Sequence, residues 1–172
     1  VEMEKNLDLD ESIVEDIDQQ EIFCYLNSEG FIERPEYTNN LKDYVDSEDD
    51  NGICLVTAEA GLGKTMLLAK FAMDLKEEYP GKRRYKRFCG ASDLSSDIYS
   101  LWKSIMAEAE ISEDEEFYPK NIDELKRNIT PILYAIAGKG DSVIIIDAVN
   151  QMPDGVNMIK WFDEIPENLK LI

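Results

Sequence analysis

The sequence predicts a three-layer α/β fold: a parallel sheet with helices on both faces. Three observations predict it. An apolar segment starting at Ile53 runs into a glycine-rich turn that ends in Gly63-Lys64-Thr65. The run Ser142-Val-Ile-Ile-Ile-Asp147 has the β-branched composition of a strand buried on both faces. Around these two segments, helical and strand-like patterns alternate, which is the order a parallel sheet with crossover helices requires.

The elements follow in order. Residues 1–15 are acidic with few apolar groups and read as a frayed arm or linker. Asp16 to Asn27, with Ile17, Phe23, Cys24 and Leu26, reads as a short helix that Gly30 ends. Pro35 to Asp46 spaces Tyr37, Leu41, Tyr44 and Val45 at helical intervals. Ser47 to Gly52 is a solvated turn, and the first strand follows it. Lys64 to Tyr79 is a helix with Leu67, Leu68, Phe71, Ala72 and Leu75 on its buried stripe, stopped by Pro80-Gly81. Tyr85 to Gly90 is the second strand. Ser95-Ser96-Asp97 opens an amphipathic helix carrying Ile98, Leu101, Trp102, Ile105, Met106 and Ala109 on one face. Ile122 to Ala137 is another helix, in which Pro131 predicts a kink or a late start. After the strand at 142–147, Pro153-Asp154-Gly155 turns into a short helix with Met158, Ile159 and Trp161. Pro166 ends that helix, and Leu169 to Ile172 begin a fourth strand.

The glycine-rich turn suits a phosphate chain. Several backbone N–H groups must converge on one point, a cation must sit on the terminal oxygens, and a hydroxyl must reach Mg²⁺. Gly61 and Gly63 let the backbone curl, with positive φ where the turn needs it. Lys64 reaches the β- and γ-phosphates, Thr65 ligates the metal, and the following helix presents its positive end. Ala60, Gly61, Leu62, Gly63, Lys64, Thr65 and Met66 are the predicted nucleotide-binding residues. The usual pattern G-x-x-x-x-G-K-[ST] is met except that Ala58 stands at its first Gly. Asp147 ends a buried strand, where ligands bind in open α/β sheets, and is the second predicted metal ligand.

The 172 residues carry 44% apolar residues and a net charge of −19, enough chain for one domain with a core. The charge is uneven: residues 1–50 hold 3 Lys/Arg and 17 Asp/Glu, a balance of −14, and residues 51–172 hold −5. That acidity argues against a general nucleic-acid binder. No apolar run reaches the length of a membrane span, and the acidic N-terminus lacks the basic region of a signal peptide. The first residue is Val, which suggests a piece of something longer. Cys24, Cys54 and Cys89 lack metal-ligand spacing and read as buried free thiols in a reducing cytosol. The basic run Lys82-Arg-Arg-Tyr-Lys-Arg87 reads as a solvated edge strand whose charges discourage pairing, with a phosphate, nucleic-acid or partner contact as the alternative.

The motif order resembles the NACHT branch of the STAND class of signalling P-loop NTPases, and within it the telomerase-associated-protein and nephrocystin type. Four segments, with the closing stretch as a further likeness, carry the resemblance over about residues 17–172. Phe31-Ile32-Glu33-Arg34 resembles an element that lies near the adenine, with Glu33 in place of its Gly; the resemblance thereby adds Arg34 to the nucleotide-binding residues. Ala60 to Thr65 fits the phosphate loop. Phe88 to Asp97 resembles the strand and serine-rich step into the next helix. Ile146 to Gln151 resembles the metal-binding strand and its turn, and Trp161 to Ile172 the approach to the fourth strand. The resemblance implies the strand order 5-1-4-3-2, with the chain stopping at the start of strand four.

In that family an acidic residue three positions after the metal-binding Asp polarises the attacking water. Asn150 stands there, and an amide orients a water without accepting its proton. Asn150 and Lys64 are therefore the predicted catalytic positions, with Asp154 and Asp163 as substitutes for the missing acid. The expectation is an acidic arm and short helix over residues 1–29 and a nucleotide-binding domain over 30–172. That domain would bind ATP or ADP with Mg²⁺ and act as a cytoplasmic, slowly hydrolysing switch. Other domains of a longer parent chain, and nucleotide-dependent self-association, are its expected contacts. A kinase acting on a small molecule or polynucleotide, and an inert P-loop scaffold, are the alternatives; the kinase lacks an evident Arg-rich lid.

Overall fold

A computed structural model describes residues 10–48 and 52–172. The start of the predicted arm and the middle of the turn before the phosphate loop lie outside those residues. Six α-helices and three strands are described: α1 Glu11–Ser28, α2 Pro35–Asp46, α3 Lys64–Glu78, β1 Arg83–Phe88, α4 Ile98–Glu108, α5 Ile122–Ala137, β2 Ser142–Asp147, α6 Gly155–Met158 and β3 Leu169–Leu171. The sheet is parallel in the order β1-β2-β3, with Phe88 beside Asp147 and Ile144 beside Leu171.

The sheet separates two cores, which follow from the period of two along a strand. Ile144 and Ile146 of β2 face α4 and α5, joining Leu101, Trp102, Ile105, Leu125, Ile129, Ile132 and Leu133. Val143 and Ile145 face the other way, onto Leu68, Phe71, Ala72 and Leu75 of α3 and Leu41, Tyr44 and Val45 of α2. All six residues of β2 are buried. The three-layer α/β architecture is therefore the one the sequence predicts.

Three expectations about the extent of elements need correction. The segment expected as the first strand makes a single parallel bridge, Ile53 to Leu171, with Cys54 N–H donating to Leu171 O at 2.9 Å. β3 is three residues long, and among the described residues Leu171 makes the one bridge to this segment. The bridge still puts the segment beyond β3, in the order the resemblance implies. Pro131 does not delay α5, which starts at Ile122 and is capped by Asn121. The bond Pro131 forfeits would have gone to the carbonyl of Arg127, an exposed residue. Finally, α1 begins at Glu11 rather than Asp16, because Asp10 accepts from Ser12 N–H at 3.1 Å and Ile13 is buried.

The basic run is an edge strand, but not a solvated one. Tyr85, Lys86, Arg87 and Phe88 are all buried. Helix α1 lies along that edge with its polar side inward. Gln20 Oε1 accepts from the Phe88 N–H at 2.7 Å, so a side chain takes the place of a neighbouring strand. Arg87 lies 3.3 Å from Asp16, and each side chain is 1% exposed. Arg87 also donates to Glu108 and Ser104, both at 2.8 Å, while Ser92 and Ser104 donate to Asp16. Lys86 pairs with Glu21. Burial opposes ionisation of Glu21, but the hydrogen bond and charge of Lys86, with Arg84 and Lys76, hold its carboxyl below the ordinary value of 4.5. Its share of the stabilisation is thus present above that value and is lost as pH falls through the lower folded value.

Candidate nucleotide site

The phosphate loop is built by backbone conformation. Gly61 and Gly63 sit at φ 81° and 84°, which an L side chain adopts only with strain. Gly63 is the residue before α3, and a Cβ on it would meet the Arg34 guanidinium at 3.6 Å. Arg34 Nη1 donates to Leu62 O at 2.7 Å, so the residue preceding α2 reaches the loop. Lys64 folds back across the loop, its ammonium donating to Ala58 O at 2.7 Å and Glu59 O at 3.0 Å. Ala60, Gly61 and Leu62 form the exposed tip, and Met66 is half-buried in the first turn of α3.

The two predicted metal ligands meet. Thr65 Oγ1 donates to Asp147 Oδ2 at 2.6 Å, across 82 positions of sequence. Asp147 is 6% exposed, at the C-terminal end of β2. A neutral hydroxyl and one carboxylate suit Mg²⁺, which keeps waters and phosphate oxygens as its other ligands. Among the described residues no group of three His, Cys, Asp or Glu forms an all-protein cage. The loop, its lysine and this pair fit a Mg²⁺-nucleotide.

A cavity of about 130 Å³ opens beside the loop at the C-terminal ends of β2 and β3. Lys64, Asp147 and Asn150 line it together with Val56, Leu68 and Phe162. Asn150 is exposed on a one-turn 3₁₀ segment, Val149–Gln151, that follows Ala148 at φ 58°. Gly155 fixes this turn, since a Cβ there would lie 1.8 Å from Val149 O. Asp154 and Asp163, the suggested substitute acids, do not line the cavity. Cys89, at the same end of the sheet, is inert: burial first, then the charge of Asp147, pushes its thiol up to about 12. Burial likewise raises Cys24 to about 11. All three cysteines are free, with Cys24 and Cys89 buried and Cys54 half-buried.

Sequence reasoning named Lys64, Thr65, Asp147 and Asn150, and the structure brings the four to one end of the sheet. It missed Asp16, Gln20 and Glu21, which cover the β1 edge. The signal appears only once the strand is known to be buried: a buried basic strand needs carboxylates, and α1 carries them at positions 16 and 21.

A parallel three-layer sheet with this loop at its carboxyl end defines a P-loop NTPase-type domain. The sequence profile of the AAA domain family matches residues 47–172, well over half of the chain. The chain belongs to that family. Neither the curated proteins nor the solved structures gave a match. Among the described residues, no helix is long and apolar enough to cross a membrane.

Proposed function

We propose that this AAA domain binds Mg²⁺-ATP and works as a slowly hydrolysing switch within a larger STAND-type signalling protein of the cytoplasm. The observation that carries the reading is the Thr65–Asp147 contact at 2.6 Å, which sets two metal-binding oxygens beside the phosphate loop. When bound, Mg²⁺ neutralises charge on the β- and γ-phosphates. The other work falls to the chain. Gly61 to Thr65 wrap the phosphates with backbone N–H groups. Lys64 exchanges its bonds to Ala58 O and Glu59 O for phosphate oxygens. Asn150 orients a water at the mouth of the cavity but cannot take its proton, which supports slow turnover. The motifs shared with NACHT proteins support the signalling role, with residues 30–172 as the nucleotide-binding unit and nucleotide-dependent self-association as its output.

Asp147→Asn tests the metal role. The variant should bind ATP more weakly in Mg²⁺ and nearly unchanged in EDTA, read by calorimetry. Equal losses in both conditions would make Asp147 a structural residue only.

A further inference from the structure

Helix α1 buries Ile13 and Cys24 together with two polar side chains, and leaves other apolar side chains outside. Its buried positions include Asp16 and Gln20, while Ile22 and Leu26 are 59% and 61% exposed and Val14 and Tyr25 are exposed beside them. Residues of a helix advance by about 100° each. Glu11, Glu15, Asp18, Ile22, Leu26 and Glu29 therefore share the outward side, and all six are exposed. Carboxylates occupy its first half and an apolar patch its second, followed by Glu29. Between Lys5 and Arg34 the sequence holds no Lys or Arg. Among the described residues, the cations that pair with α1 do so on its inward side: Lys76, Arg84 and Lys86 reach Glu21, and Arg87 reaches Asp16.

We infer that the outer face of α1 docks a cationic amphipathic helix of another protein. Apolar side chains of that helix cover Ile22, Tyr25 and Leu26, and its Lys or Arg residues pair with Glu15, Asp18 and Glu29. The apolar anchors supply affinity, and the charges supply orientation and association rate. Charge selects this occupant. A second copy would bring the same acidic helix on a chain of net charge −19, and an anionic lipid surface would be repelled in the same way.

The test uses a fluorescein-labelled Leu/Lys amphipathic peptide of about 14 residues, roughly four helical turns, and reads anisotropy. Saturable binding that weakens with salt is expected. Ile22→Ser with Leu26→Ser, which leaves every charge in place, should weaken it about tenfold or more. Glu15→Gln with Asp18→Asn should slow association and flatten the salt dependence. ATP affinity should be unchanged in both double variants, so failure here leaves the nucleotide reading intact. Urea midpoints equal to the native one confirm that the variants are folded. Absence of saturable binding overturns the proposal. So does equal binding to the Ile22→Ser/Leu26→Ser variant, which would mark diffuse charge attraction. A dimer abolished by that variant, or its loss of binding to anionic vesicles, would assign the face to a second copy or a membrane instead.

Discussion

Asp16→Ala is expected to lower stability by about 3 kcal/mol, the lower end for breaking a buried ion pair. Asp16 is 2% exposed and Arg87 is 1% exposed. The substitution strips a buried guanidinium of one of its two carboxylate partners, the fully buried one, and leaves the hydroxyls of Ser92 and Ser104 without their carboxylate. Glu108 still accepts from Arg87 at 2.8 Å, which keeps the loss at the lower end. The reciprocal test separates charge from shape. Asp16→Leu combined with Arg87→Met removes both charges and should recover most of the loss, since well-packed apolar replacements of buried pairs are often neutral or better. Urea denaturation of the three proteins reads both values. A loss below about 1 kcal/mol for Asp16→Ala, in the range of an exposed pair, would mean that α1 does not seal the β1 edge as described.

Asn150→Asp is expected to raise ATP turnover by about 10²-fold, the low end for a positioned general base. Asn150 lines the cavity that Lys64 and Asp147 share, three residues after Asp147 and on a turn held by Gly155. A carboxylate there accepts a proton that the amide leaves on the water. Affinity should change little, because the phosphates are held by Lys64 and the loop. The measurement is release of inorganic phosphate under saturating Mg²⁺-ATP, beside calorimetry. Ordinary NTPase turnover by the native protein would contradict this account of Asn150. So would a flat rate in Asn150→Asp with ATP still bound.

Much of this site is legible in the sequence because its chemistry is local. Gly61, Gly63, Lys64 and Thr65 lie within five residues, and a phosphate loop constrains both their types and their order. Asp147 is legible because its strand is β-branched throughout and buried on both faces. The edge seal is not local. Asp16 and Arg87 are 71 positions apart, and no spacing rule links a helix's carboxylates to a strand's guanidinium. The start of α1 was missed although its cue is local, the Asp10 cap and buried Ile13, because Asp16 and Gln20 interrupt the apolar periodicity of the buried face. The first predicted strand was overextended for a related reason. Its apolar residues suit a strand, but the ladder depends on how far a neighbour accompanies it, and among the described residues β3 does so only at Leu171.

The central claim is that Lys64 and its loop hold the phosphates of Mg²⁺-ATP. Calorimetric titration of ATP in Mg²⁺ into the native protein and into Lys64→Ala tests it most directly. The native protein should bind saturably. Lys64→Ala should bind more weakly by about 1.5–3 kcal/mol, the scale of a hydrogen bond to a charged group. Its fold should be retained, since among the described residues the ammonium bonds only to the carbonyls of Ala58 and Glu59, within its own loop. Unchanged affinity in a folded Lys64→Ala protein, or no binding by the native one, would contradict the account.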